Sequence, residues 1–261
     1  MTMLEVVFLG AVQGLTEFLP VSSSGHLLAA RLLFDISDFS GSAFDAFLHL
    51  GTLGAVLVYF RRTWTGIAGG VLRNDEEGKG KRELLAKLAI ATVPAAVGGY
   101  LFQDGVEELR SVAWLAGALG MTAVVLWVSD VFSVRAKTME RARYNDAAYI
   151  GLMQVLALLP GVSRSGVTIA GGRLRGLSRS QATKFSFLMS APIIAGASLS
   201  SLSALWQGHL FSPAQLGLGV LVSFASGLFA IKVLLHVVEK ISLKPFAVYL
   251  VALAAIILLY G

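Results

Sequence analysis

GAVQGLTEFLPVSSSG, residues Gly10–Gly25, and GLMQVLALLPGVSRSG, residues Gly151–Gly166, align without a gap at an offset of 141. Seven of sixteen positions match: Gly10/Gly151, Gln13/Gln154, Leu15/Leu156, Val21/Val162, Ser22/Ser163, Ser24/Ser165 and Gly25/Gly166. Composition alone gives about one or two such matches, so an internal duplication accounts for them better than chance. The same offset pairs Glu5 with Asp146 and Phe44 with Phe185. In both copies an apolar run is interrupted. Leu4–Leu19 carries Gln13, Thr16 and Glu17 and meets Pro20 and three serines. Ala147–Leu159 carries Gln154 and meets Pro160, Gly161 and a Ser-Arg-Ser sequence. Neither reads as an uninterrupted span.

Composition identifies the solvent around these breaks. Apolar residues make up 56 % of the 261 and charged residues 14 %. A soluble domain carries about 25 % charge, so this chain has too few ionisable groups to cover a water-facing surface. A soluble enzyme, a disordered chain and a nucleic-acid-binding domain are excluded, despite a pI near 9.6. The chain reads as a polytopic membrane protein, and its net charge of +5 fits cationic cytoplasmic loops. With no cysteine it has no disulfide and no thiolate nucleophile. The N-terminal run lacks the basic start and the cleavage site of a signal peptide.

Six apolar runs are clean spans: Phe44–Phe60, Leu84–Leu101, Val112–Phe132, Ser186–Leu205, Leu216–Val238 and Pro245–Tyr260. Loop charge then orients them. Arg61–Lys87 and Arg135–Arg143 are rich in Lys and Arg and belong in the cytoplasm. Phe102–Ser111 and Gln207–Pro213 are not, and belong outside. Counting spans makes residues 4–43 enter and leave from the outer face and residues 146–184 from the inner one, with both termini external. The expected fold is therefore an all-α polytopic membrane protein and a single domain over 1–261. It is an inverted-topology repeat, about 1–132 and 146–261, each half a re-entrant helix pair plus three transmembrane helices.

The breaks are where chemistry is expected. Half-helices in such repeats aim their positive N-termini at an anion near mid-membrane. Ser22, Ser23, Ser24 and Gly25 form one small-residue turn, and Ser163, Arg164, Ser165 and Gly166 the other. Small residues let backbone N–H groups approach a phosphate, hydroxyls can cap or donate, and Arg164 adds a fork of donors. Glu17 is a carboxylate in an apolar segment, at a cost of about 2–3 kcal/mol. Its repeat partner is Leu158, so the fold itself does not ask for a carboxylate there. Gln13 lies one helical turn before it, and together they offer oxygens to a hard divalent cation such as Mg²⁺ or Ca²⁺. His26 follows the first turn as an acid or base. Thr168 lies four residues after Arg164, and Asp45 and His49 form another i, i+4 polar pair. Two readings fit: a hydrolase acting on a phosphorylated lipid, and a secondary transporter or flippase of an anionic lipid or small anion.

At these residues the sequence resembles the undecaprenyl-diphosphatase family (UppP or BacA, the bacitracin-resistance proteins). Gln13-Gly-Leu-Thr-Glu17 matches its (E/Q)-x-x-x-E motif and continues as FLPVSSSGH to His26; Pro160-Gly-Val-Ser-Arg-Ser-Gly-Val-Thr168 matches its second motif. The resemblance covers essentially the whole chain. It implies hydrolysis of undecaprenyl diphosphate to the monophosphate and phosphate, recycling the carrier lipid of peptidoglycan synthesis at the bacterial inner membrane. It also implies dependence on a divalent cation. Carried over by motif position, Glu17 with Gln13 serves metal and phosphate, Ser23 is the candidate nucleophile and His26 an acid or base. Ser163, Arg164 and Thr168 hold the diphosphate. Gln13 stands where many members have Glu, which removes one anionic ligand. The Asp45/His49 pair has a supporting role. The implied partners are the lipid substrate, membrane lipids and a second copy of the chain in a homodimer, with bacitracin competing for the substrate rather than for the protein. The charge argument puts the active site on the periplasmic or exterior face.

Overall fold

The structure, a computed structural model, describes residues 1–36, 41–106, 111–133, 136–208 and 211–260; the side chains of 41–43, 103–106 and 199–208 are not described. Among the described residues there are eleven α-helices and no strand, only a single β-bridge between Lys137 and Leu177. The order is α1 (Met3–Phe18), α2 (Ser23–Phe34), α3 (Gly41–Tyr59), α4 (Arg61–Val71), α5 (Glu76–Val106) and α6 (Val112–Phe132). It continues with α7 (Tyr144–Val155, extended by a 3₁₀ turn at Leu156–Leu158), α8 (Arg164–Leu174), α9 (Arg179–Gly208), α10 (Pro213–Val237) and α11 (Lys244–Tyr260).

Among the described residues, α5 over Glu76–Phe102, α6 and α10 are long and apolar enough to cross a membrane, and α11 is a shorter apolar helix. Leu221, Phe229, Val124 and Val251 are each more than half exposed. Such outward apolar side chains on several helices suit hydrocarbon and would be an aggregation hazard in water. These are the features of a polytopic membrane protein.

The Ser186–Leu205 run falls inside α9, the far end of which lies outside the described side chains. Residues 61–87, expected as a loop, are instead helical over most of their length. After Tyr59 the chain bends by 69° into α4. That helix buries Ile67 and Gly70 and leaves Arg61, Arg62 and Val71 exposed, a pattern suited to the bilayer surface. Charge density marked the segment as aqueous, but the spacing of its few apolar residues carried a helix.

Both broken runs are broken helix pairs. α1 stops at Phe18 because Pro20 cannot continue it, and α2 restarts at Ser23. α7 and its 3₁₀ turn stop before Pro160, and α8 restarts at Arg164. α2 and α8 are only about 18 and 16 Å long at 1.5 Å per residue, roughly half a bilayer core. α1 packs on α10 and α7 on α5; α3 packs on α10 and α9 on α5; α3 also meets α9, and α6 meets α11. The tips of the two pairs interlock, for Ser165 Oγ donates to the Leu19 carbonyl at 2.7 Å.

Candidate active site

Each restart is capped in the same way. Ser22 Oγ accepts from the Gly25 N–H at 3.3 Å, and Ser163 Oγ accepts from the Gly166 N–H at 3.1 Å. Each capping serine also lies beside the serine two residues on, Ser22–Ser24 at 3.3 Å and Ser163–Ser165 at 3.2 Å. One cap hydroxyl satisfies one of the four orphan N–H groups of a helix start, leaving the others open to an acceptor. Residues of both helix starts, Ser23 and Arg164, reach the same carboxylate, so two positive dipole ends lie near one another.

A single carboxylate joins them. Glu17, at the last turn of α1, is buried, with 6 % of its side chain exposed. Its Oε1 accepts from Arg164 Nη2 at 2.8 Å. Its Oε2 accepts from Ser23 Oγ at 2.7 Å and from Gln13 Nε2 at 3.0 Å, and lies 3.4 Å from His49 Nε2. The Gln13 Oε1 atom is buried and has no hydrogen-bond partner among the described residues. An acceptor oxygen therefore stands open beside a carboxylate. Phe18 closes the floor, edge-on to Phe187 of α9 with ring centroids 5.2 Å apart.

Arg164 is held from behind. Its Nη1 donates to the Ser186 carbonyl at 3.3 Å. Thr168 Oγ1 lies 2.8 Å from the Arg164 carbonyl and 2.7 Å from Ser186 Oγ. Ser163 N donates to Thr122 Oγ1 at 3.2 Å, tying the second turn to α6.

His26 turns elsewhere. Its Nδ1 is 2.8 Å from the Ser22 carbonyl, its Nε2 is 2.6 Å from the Tyr249 hydroxyl on α11, and the rings stack at 5.5 Å. A carbonyl only accepts, so Nδ1 carries the proton, and a neutral ring then accepts the Tyr249 O–H at Nε2. Among the sequence candidates, Gln13, Glu17, Ser23 and Arg164 form one hydrogen-bonded cluster. Ser22, Ser24, Gly25, Ser163, Ser165, Gly166 and Thr168 shape the two turns around it, and His26 lies beside it rather than on Glu17.

Two further residues reach the cluster, His49 from α3 and Ser186 from α9. His49 reaches Glu17 from α3, and its Nδ1 donates to the Asp45 carbonyl at 2.7 Å. Asp45 itself binds the Arg31 guanidinium through both oxygens, at 3.1 and 2.6 Å. The i, i+4 spacing put Asp45 and His49 on one helical face, but only packing could say which way that face looks. Ser186 stands 141 residues after Asp45, so the repeat offset could have pointed to it.

The family described as Bacitracin resistance protein BacA matches residues 6–256. The chain belongs to that family. An undecaprenyl-diphosphatase of Rubrobacter xylanophilus is 43 % identical over 263 residues, covering 98 % of this chain and 97 % of that one. One of Desulforudis audaxviator is 43 % identical over 250 residues, with 95 % and 94 % covered. One of Caldicellulosiruptor bescii is 41 % identical over 262 residues, with 100 % and 98 % covered. BacA membership thus spans both serine turns and the helices between them.

Proposed function

We propose that this chain hydrolyses undecaprenyl diphosphate to undecaprenyl phosphate and inorganic phosphate. One observation carries the reading: a hydroxyl at one helix start and a guanidinium at the other are held by the same carboxylate, Glu17. A transporter needs an anion site but no oriented nucleophile beside it, so the cluster favours a hydrolase. Close, full-length relatives named undecaprenyl-diphosphatase supply the substrate.

In the proposed reaction Ser23 Oγ attacks the terminal phosphorus. The bond between that phosphorus and the bridging oxygen breaks, and undecaprenyl phosphate leaves. Water then hydrolyses the phosphoserine and releases phosphate. An incoming diphosphate competes with Glu17 for Arg164, because phosphate oxygens take the same forked donors. Glu17 Oε1 is then free, and Glu17 takes the Ser23 proton across the 2.7 Å contact. Open N–H groups of the two helix starts and Arg164 face the charge that builds on phosphorus. Thr168 and Ser186 keep Arg164 aimed.

The donor set fits a divalent cation of the Mg²⁺ or Ca²⁺ kind only together with substrate. Glu17 and the open Gln13 Oε1 would hold it. No group of three or more His, Asp, Glu or Cys able to hold a metal occurs among the described residues, and Mg²⁺ commonly completes such a partial set with phosphate oxygens and water. When bound, the ion neutralises charge on the phosphoryl oxygens.

The inverted repeat is part of the proposal. It is supported by the 141-residue alignment and by packing that exchanges partners between halves: α1 on α10 mirrors α7 on α5, and α3 on α10 mirrors α9 on α5. We place the chain in the bacterial inner membrane, with the α4 side in the cytoplasm by loop charge and the serine turns opening outward. On this reading bacitracin competes with the enzyme for the diphosphate lipid.

The test is purified protein with undecaprenyl diphosphate and a phosphate-release assay, with and without EDTA. Phosphate release that EDTA suppresses is the expected result. No release under either condition overturns the hydrolase.

A further inference from the structure

The second helix pair has a base as well as a tip, and the base is built unlike that of the first. A cleft of about 730 Å³ opens there between the end of α6, the segment before α7, the start of α7 and the end of α8. Its walls carry Lys137, Arg141, Arg143, Arg173 and Arg175 against a single carboxylate, Asp146. Along α8 it lies about 15 Å from Arg164 at the other end of the helix, so it is a separate place.

Charge pairing does not account for this cluster. Asp146 gives its Oδ2 to Lys137 at 2.7 Å and its Oδ1 to Arg175 at 2.8 Å. The nearby Asp130 is taken by Arg179 at 2.7 Å. Arg173 is buried; its Nη1 donates to the Leu177 carbonyl at 2.8 Å and its Nη2 to the Ser133 carbonyl at 3.4 Å, and its Nε has no partner among the described residues. Arg141 and Arg143 are exposed at the rim, with no carboxylate paired to either among the described residues. Among the described residues, five cations against one acid leave the cleft at +4.

Orientation by loop charge explains cations on this side of the membrane, but not their convergence on one concave surface. Nor does the frame demand them. At the repeat offset the base of the first pair has Thr2 for Arg143, Leu32 for Arg173, Phe34 for Arg175 and Glu5 for Asp146. The same helix ends close there on two acids, Glu5 and Asp35, and one cation, Arg31, whose guanidinium is bonded to Asp45. Phe132 and Leu174, which also line the cleft, are 71 % and 36 % exposed, so an apolar surface borders the charge.

The geometry points to a binding cleft for an anionic phosphate group, supplied by the headgroup of a bilayer phospholipid whose chain lies on Phe132 and Leu174, or by free phosphate. Arg141, Arg143 and the outer faces of Lys137 and Arg175 are the ligands, with Arg173 as the cationic floor. Forked guanidinium donors suit phosphate oxygens, and a low-dielectric border strengthens the attraction.

Native mass spectrometry of the full chain in detergent tests this. The probes are dioleoylphosphatidylglycerol, dioleoylphosphatidylcholine (in which choline cancels the phosphate charge) and inorganic phosphate as competitor. The wild type is expected to retain phosphatidylglycerol at least tenfold more tightly than the R141Q/R143Q double variant, whose two sites are exposed and whose thermal stability should not change. Displacement by millimolar phosphate assigns the ligand to solution, and resistance to it assigns the ligand to the bilayer. Equal retention in wild type and variant, or equal retention of phosphatidylcholine and phosphatidylglycerol, overturns the cleft. Phosphate release from undecaprenyl diphosphate should be the same in both proteins. If both release none, the hydrolase reading fails while the binding result stands.

Discussion

The two broken helix pairs share a frame and differ in what hangs on it. Both restart on a serine cap that accepts from a glycine N–H three residues on, and both set a second serine beside the cap. Both carry a glutamine with a buried Oε1 lacking a partner among the described residues, Gln13 and Gln154. Nine of the sixteen aligned positions differ, and the differences that carry chemistry are concentrated. Glu17 faces Leu158 across the repeat, Ser23 faces Arg164, and Leu27 faces Thr168. The backbone differs as well. The positive φ of the first turn falls on Ser22 at +68°, whereas the second turn gives it to Gly161 at +90°. A side chain in that region costs about 1–3 kcal/mol where glycine costs little, so the first turn is the strained one, and it is the turn that presents Ser23. The two restarts supply two capped helix N-termini that meet at Glu17. Side-chain differences put an acid with a hydroxyl on one and a guanidinium on the other.

Breaking that division of labour should have its largest effect at Glu17. Glu17→Ala strips the counter-charge from Arg164 and His49 and the acceptor from Ser23 together. Phosphate release should fall by about 10³-fold or more, at the upper end of what one preorganised group contributes. Full turnover in this variant would remove the assigned site. Ser23→Ala and Arg164→Ala test the two diverged positions against each other. Loss of Ser23 should abolish both turnover and any trapped phosphoserine, while normal turnover would leave water as the direct attacker. Loss of Arg164 should lower turnover by about 10²–10³-fold through weaker phosphate charge stabilisation, with the serine still phosphorylated slowly.

The glutamines sharpen the comparison at smaller scale. Gln13 donates to Glu17, whereas Gln154 donates to the Ala91 carbonyl at 3.3 Å and serves packing. Gln13→Ala should cost about tenfold in turnover, comparable to loss of a hydrogen bond to a charged group, and should raise the metal concentration needed for half activity. Gln154→Ala should leave both measurements within twofold of wild type. Equal effects from the two would mean that Gln13 acts through the frame alone.

Much of this was legible in the sequence, for physical reasons. Proline after an apolar run, then serine and glycine, fixes a helix stop and a capped restart almost wherever it occurs, and both breaks sit within a residue or two of where the residues place them. Glu17 and Arg164 were legible because charge in an apolar setting is costly. What escaped depends on tertiary direction. His49 and Ser186 come to the cluster from α3 and α9, and neither helix announces which of its faces meets the breaks. α4 escaped because its arginines made the whole segment read as solvated loop. His26 was legible as a residue beside the turn, but its partner Tyr249 is 223 residues away.

That partner offers the finest test of how the two pairs differ. The repeat mate of His26 is Val167, which is fully buried, so the second pair is sealed where the first carries an imidazole covered by an exposed tyrosine. Tyr249 contributes two contacts: a hydroxyl that fills Nε2 and a ring that stacks on the imidazole. Tyr249→Phe keeps the stack and removes the hydroxyl. With Nδ1 still donating to the Ser22 carbonyl, His26 should keep its tautomer, and turnover should change by about fivefold or less, the worth of one neutral hydrogen bond. Tyr249→Ala removes both contacts and should free the ring, seen as mixed tautomer signals in the ¹⁵N spectrum of His26 and as a larger fall in turnover. If Tyr249→Phe proves as damaging as Tyr249→Ala, the hydroxyl itself takes part in the reaction, and the covering of the first pair is chemical rather than steric.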